Sequence, residues 1–212
     1  MTLHLPDNPL IFPGSNLSNR RLLPVENATM PQSYRPDLKG ILIPNEEIHR
    51  KIGELASALS NHYQDRTVDV IVIMDGAATF YANVLFHRNI GFVHDPIFKK
   101  ASSYIGTTSS GQVDFDTSGI TKHKGRDVLL IEDIVDTGIT MDKIIYNLKE
   151  VGARDIKVCS LLDKPTRRKT DIIPHFTGFT IPNEFVVGFG LDYNNRYRGI
   201  PHVCVLNTNV YS

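Results

Sequence analysis

From Asn45 onward the chain alternates between apolar runs and amphipathic stretches. Ile48, Ile52, Leu55, Ala56, Leu59 and Tyr63 recur at helical spacing. They predict a helix with Asn45 as its N-cap and Glu46 and Glu47 in the first turn, where acids suit the positive end of the macrodipole. Val68–Met74 is a continuous apolar run that predicts a buried strand broken at Asp75-Gly76, and Thr79–Asn89 then reads as a helix. Ile97–Tyr104 and Asp127–Ile131 predict strands, and Met141–Val151 predicts a helix with Gly152 at C′. Ile156–Leu162, Phe176–Ile181, Phe185–Phe189 and Val203–Leu206 supply further strands. Strands alternating with helices imply βαβ units and a mostly parallel sheet covered on both faces, an α/β fold. No internal repeat is present.

Two stretches break this rhythm. Seven of the 12 prolines fall within the first 44 residues, so residues 1–40 read as an irregular arm before a single domain over 41–212. Residues 106–125 are rich in Gly, Ser and Thr, with one short strand-like stretch inside, and a polar segment of that length suggests a mobile functional loop.

Composition narrows the class. With 212 residues, 41% hydrophobic and 22% charged, the chain can bury a continuous core. Its 23 basic and 23 acidic residues create no global field for nucleic acid or an anionic membrane. No apolar run approaches the roughly 18–20 residues that span a bilayer, and the amino terminus does not read as a secretory signal. Cys159 and Cys204 sit in apolar, β-branched stretches, as buried strand filler in a reducing compartment does. The expected location is the cytoplasm.

The candidate chemistry lies in Val128–Thr140, VLLIEDIVDTGIT. An apolar strand ends in Glu132, Asp133 and Asp136, followed by Thr137-Gly138-Ile139-Thr140 and a helix. Such a turn lies at the carboxyl edge of an α/β sheet, where ligands bind. Small and hydroxylated residues there let backbone N–H groups and a helix N-terminus surround a phosphate. Carboxylates beside a phosphate would repel it unless they face sugar hydroxyls, a bound Mg²⁺ or a proton to be abstracted. No G-x-x-x-x-G-K-[ST] is present, so this is not a P-loop.

A hydrophobic strand, paired acids and then D-T-G-x-T closely resembles the phosphoribosyl-diphosphate signature of type I phosphoribosyltransferases. That resemblance implies a mostly parallel twisted sheet flanked by helices, a small hood subdomain and a flexible catalytic loop. Ser160–Lys164 (SLLDK), Pro182–Gly188 (PNEFVVG) and Leu191–Asn194 (LDYN) followed by Arg198 resemble the hypoxanthine-guanine members, and Ser103-Tyr104 resembles the start of their catalytic loop. The similarity runs from about Ile41 to Leu206.

The implied reaction is purine salvage: Mg²⁺-dependent transfer of the phosphoribosyl group from phosphoribosyl diphosphate to N9 of hypoxanthine or guanine, releasing pyrophosphate. By resemblance, Glu132 and Asp133 hold the ribose hydroxyls directly or through metal, and residues 136–140, including Ile139, cradle the 5′-phosphate. Asp136 takes the N7 proton. Lys164 donates to O6, Phe185 stacks on the base, and the backbone of Val186 and Asp192 faces the 2-position. Asp192 also reaches Mg²⁺, and Arg198 contacts pyrophosphate. Where this family usually has Leu-Lys-Gly-Gly, the chain has Met74-Asp75-Gly76-Ala77, so an acid stands where a lysine is expected to face pyrophosphate. Relatives assemble as dimers or tetramers, which implies a homo-oligomer. The rival readings are a different base preference, such as xanthine or guanine alone, and a regulator that keeps the fold but binds RNA or DNA.

Overall fold

A computed structural model describes residues 11–103 and 113–211. In chain order its strands are β1 (Ser15–Asn16), β2 (Leu38–Ile43), β3 (Thr67–Met74), β4 (Val93–Ser103), β5 (Val113–Phe115), β6 (Asp127–Val135), β7 (Asp155–Asp163), β8 (Phe176–Thr180), β9 (Val186–Val187) and β10 (Val203–Leu206). The helices are α1 (Asn45–Tyr63), α2 (Ala77–Leu85), α3 (Ile139–Glu150) and the short α4 (Thr208–Tyr211).

Strands β1, β8, β7, β6, β3, β4 and β5 lie in that order in a seven-stranded sheet, parallel except for the final β4–β5 pair. Alternate side chains explain why its central strands are apolar throughout. Val68, Val70, Val72, Leu129, Ile131, Cys159 and Leu161 pack with α1 and α2 on one face. Ile71, Ile73, Val128, Leu130 and Val158 pack with α3 on the other. A period of two with both faces covered makes the middle of these strands apolar and confines most buried polar residues to the strand ends.

The second sheet is small and antiparallel, with β10 between β2 and β9. One side of it joins Leu38, Ile41, Val187, Cys204 and Leu206 to Tyr197 and Ile200 in a separate cluster. This is the small hood expected beside the main sheet.

Several boundaries differ from those read in the sequence. Strand β2 crosses the line drawn at residue 40, because its pairing partner, β10, lies far along the chain. Upstream of it, Leu17 is buried in the main core, and Leu23 exchanges backbone hydrogen bonds with Ile41. Asn45 is not the N-cap of α1: Pro44 holds that place, and the Asn45 N–H donates to His202 Nδ1 at 3.0 Å. Helix α2 spans Ala77–Leu85 rather than 79–89, since the chain turns at Phe86 and Ile90 N–H donates to His87 O. Strand β4 starts at Val93, held by a register with β3 that its polar first residues concealed. Strand β9 is shorter than expected because Gly188 and Phe189 take positive φ of 94° and 50° and end it. Gly152 sits at φ 80° just past α3, with Ala153 N–H on Leu148 O and Gly152 N–H on Lys149 O, a Schellman ending. Among the described residues no helix is long and apolar enough to cross a membrane.

Candidate active site

Strand β6 does not stop at Ile131; it continues through Glu132 and Asp133 to Val135, with Glu132 opposite Ser160 of β7. That placement buries both carboxylates, at 9% and 8% exposure. The Ile134 N–H donates to Asp133 Oδ1 at 2.8 Å, and the Asp133 N–H donates to Glu132 Oε1 at 3.2 Å. Neither side chain has an ion-pair partner among the described residues. Burial, and then the neighbouring Asp133 charge, push the Glu132 carboxyl well above the usual range. Burial also raises Asp133.

Three loops converge on this pair. A Cβ on Gly76 would lie 1.8 Å from Asp133 Oδ2, so only glycine lets the loop after β3 approach the acids. A Cβ on Gly190 would lie 2.6 Å from Gly76 O, so the 188–198 segment closes against that same loop. Glu132, Asp133, Asp136, Thr137, Gly138 and Thr140 line one cleft together with Gly76 and Arg167. Asp75 itself is exposed and makes no side-chain hydrogen bond or ion pair among the described residues. Its peptide with Met74 is cis.

Gly138 is the N-cap of α3 at φ 82°, and a Cβ there would meet Thr170 Oγ1 at 2.3 Å and Arg168 Cδ at 2.6 Å. The first N–H groups of α3 have no intrahelical acceptor, Ile139 N–H donating instead to Thr137 Oγ1 at 3.5 Å, and Thr137, Gly138 and Thr140 at this helix start line the cleft. This end of the helix suits an anion.

Asp136 is half-buried, with Arg167 Nε on its Oδ1 at 3.2 Å and Lys164 Nζ 3.9 Å from its Oδ2. Lys164 is buried, and burial lowers its ammonium pKa while Asp136 opposes that shift. Its backbone N–H donates to Val135 O at 3.0 Å, which ties the residue after β7 to the last residue of β6.

Sequence reasoning missed the residue that clamps this loop. Arg168 donates from Nε to Asp136 O at 3.0 Å and from Nη2 to Val135 O at 3.2 Å, and also bonds Asp163 and Ile172 O. The one available signal was the basic run Arg167-Arg168-Lys169 directly after the Lys164 segment.

Asp192, expected as a further metal ligand, does not group with Glu132 and Asp133. Arg198 Nη2 lies 2.9 Å from its Oδ1, and the Asn195 N–H donates to its Oδ2 at 2.8 Å. Among the described residues no three His, Cys, Asp or Glu side chains are grouped to hold a metal. Arg198 also donates to Gly190 O at 2.7 Å. Val186 is buried in β9, paired with Val205. Phe185 stacks on Tyr211 (centroids 4.8 Å apart, interplanar 28°) and meets Tyr193 edge-on at 5.5 Å, so α4 covers part of the expected base platform. Ser103 closes β4, and Tyr104 lies outside the described residues, as do residues 105–112 at the start of the expected loop.

Residues 42–194 match a family described as the phosphoribosyl transferase domain. The hypoxanthine-guanine phosphoribosyltransferase of Bacillus subtilis (strain 168) is 42% identical over 176 residues, covering 82% of this chain and 97% of that protein. The hypoxanthine-guanine-xanthine phosphoribosyltransferase of Tritrichomonas foetus is 36% identical over 177 residues, covering 83% and 96%. A crystal structure of a hypoxanthine phosphoribosyltransferase from Staphylococcus aureus superposes with a TM-score of 0.76 at 37% identity, covering 86% of this chain and 99% of that one.

Proposed function

The chain belongs to the phosphoribosyltransferase family, and from that premise we propose that it salvages 6-oxopurines, making nucleotides from hypoxanthine or guanine and phosphoribosyl diphosphate. The observation that carries the choice of base is the buried Lys164 ammonium beside the Asp136 carboxylate, 3.9 Å apart. A 6-oxopurine presents O6 and N7 side by side on one edge. Lys164 donates to O6 while Asp136 accepts the proton that N7 sheds. Phe185 stacks on the base with the face turned away from Tyr211.

In the reaction the C1′–O bond to pyrophosphate breaks and a bond from N9 to C1′ forms, through an oxocarbenium-like state. The N7 proton passes to Asp136, and pyrophosphate leaves with the bridging oxygen. The N–H groups at the start of α3, with Thr137 and Thr140, hold the 5′-phosphate. Arg198 and the backbone at Gly76 face pyrophosphate.

Glu132 and Asp133 are buried acids without a cationic partner among the described residues, and they fit Mg²⁺. That ion takes hard oxygen donors and needs only one or two carboxylates when a substrate supplies the rest. They would hold it, and when bound it neutralises charge on the departing pyrophosphate. The enzyme works in the cytoplasm, where the free Cys159 and Cys204 stay reduced. It assembles as a homodimer or homotetramer, a reading supported by exposed Phe86 and Phe98, which both meet Tyr81 edge-on.

A turnover assay with phosphoribosyl diphosphate, Mg²⁺ and each of hypoxanthine, guanine and xanthine tests the reading. Release of pyrophosphate with hypoxanthine or guanine is expected. Turnover with xanthine alone would correct the base preference, and no turnover with any purine would overturn the proposal in favour of a binding protein.

A further inference from the structure

Tyr34 and Asp37 lie in the 3₁₀ turn Gln32–Asp37, ahead of the matched segment 42–194, and Arg196 and Tyr197 lie beyond it. The four meet in the fold. Tyr197 is buried in the hood cluster and donates from its hydroxyl to Asp37 Oδ2 at 2.6 Å. The Tyr34 ring packs on it with centroids 4.7 Å apart, and Arg196 lies over both rings with Nη2 3.6 Å from Asp37 Oδ2. Asp37 is itself held, because its carbonyl accepts the Asn207 N–H at 2.8 Å.

What this anchor holds is an unfavourable backbone. Asn194, Asn195 and Tyr197 have φ of 51°, 60° and 74°. Asn tolerates that region, but a tyrosine occupies it only where surrounding contacts over-determine it. The turn so formed carries Asp192 at its start and Arg198 at its end. It lets Arg198 reach both Asp192 Oδ1 and Gly190 O.

We propose that Tyr34 and Asp37 are positioning residues for pyrophosphate recognition, acting through Tyr197 to fix the left-handed turn that presents Arg198. This rests on the reading of Arg198 given above. The arm therefore tunes affinity for the phosphoribosyl donor from outside the site, without touching substrate.

Steady-state kinetics on Asp37→Ala, Asp37→Asn, Tyr197→Phe and Arg198→Ala, with unfolding midpoints for each, test it. Asp37→Ala and Tyr197→Phe should raise KM for phosphoribosyl diphosphate, and for pyrophosphate in the reverse direction, by roughly tenfold. Their kcat and KM for hypoxanthine should stay within about twofold. Asp37→Asn keeps an acceptor for the Tyr197 hydroxyl and should recover part of the loss. Unchanged donor KM in Asp37→Ala and Tyr197→Phe, alongside a raised KM in Arg198→Ala, overturns the proposal alone and leaves the arm a purely structural prop. An unchanged donor KM in Arg198→Ala overturns the assignment of this turn to pyrophosphate, and the proposal with it.

Discussion

At the amino end of the main sheet Asp69 and Asp127 sit among cations, whereas toward the carboxyl end Glu132 and Asp133 have no ion-pair partner among the described residues. Asp127, only 2% exposed, takes Arg154 Nε at 2.7 Å and has Arg66 Nη1 at 3.4 Å. Asp69 takes Arg126 Nη2 at 2.8 Å, with His123 Nδ1 2.9 Å away. The Arg154 hydrogen bond holds the Asp127 carboxyl below its usual range. Burial works against Asp69, but its bonds from Arg126 and His123 outweigh that and lower it too. Glu132 and Asp133 are shifted upward instead. One end of strand β6 is thus neutralised from within the fold, and the other, among the described residues, is not. Asp136 stands between these cases, paired with Arg167 and near Lys164 yet open to the cleft.

That contrast can be broken by mutation. The largest effect is expected for Asp136→Asn, which removes the proposed proton acceptor and should lower kcat roughly 10²–10⁴-fold. Nucleotide binding, measured by titration with IMP, should change far less; a near-normal kcat would remove Asp136 from the role. Next, Lys164→Met should raise KM for hypoxanthine by roughly 10–100-fold, the worth of a charged hydrogen bond. Donor KM should change little, and equal losses for both substrates would mean the lysine supports the loop rather than the base.

At the amino end the effect should fall on stability. Asp127→Ala should cost about 1–3 kcal/mol in urea unfolding while kcat stays within about twofold. The folded carboxyl titrates below the unfolded one, so its stabilisation is complete above about pH 4 and disappears as pH falls through the lower folded value. The variant should therefore lose less stability than the parent between about pH 4 and pH 2. A matching acid limb in the two proteins would show that the ion pairs contribute nothing. The smallest effect, and the one of opposite sign, is expected for Glu132→Gln. Removing one of two like charges buried together should stabilise the ligand-free protein by about 1 kcal/mol. It should also weaken donor binding, and a lowered unfolding midpoint would erase the distinction between the two ends.

How legible all this was depended on sequence distance. The acids, Gly138 and the α3 start occupy adjacent positions, so the strand-to-helix turn could be read directly. The Lys164 and Phe185 segments carried no chemistry by themselves and were placed only by resemblance. Arg168 was invisible because its acceptors, Val135 and Asp136, lie 33 and 32 residues earlier. Asn45 looked like an N-cap, and nothing local shows that His202, 157 residues later, takes its N–H. The Phe185–Phe189 run looked like one strand because apolar spacing says nothing about φ at Gly188 and Phe189.

The sequence by itself determined the layered α/β architecture and the phosphate-type turn, because hydrophobic periodicity and a contiguous loop are local properties. Tertiary structure alone decided which carboxylates are neutralised and which stand ready. It also decided that Asp192 is engaged by Arg198 and that residues 34 and 37 of the arm reach Tyr197. Charge pairing and desolvation depend on neighbours brought together from distant parts of the chain, and no spacing rule records those.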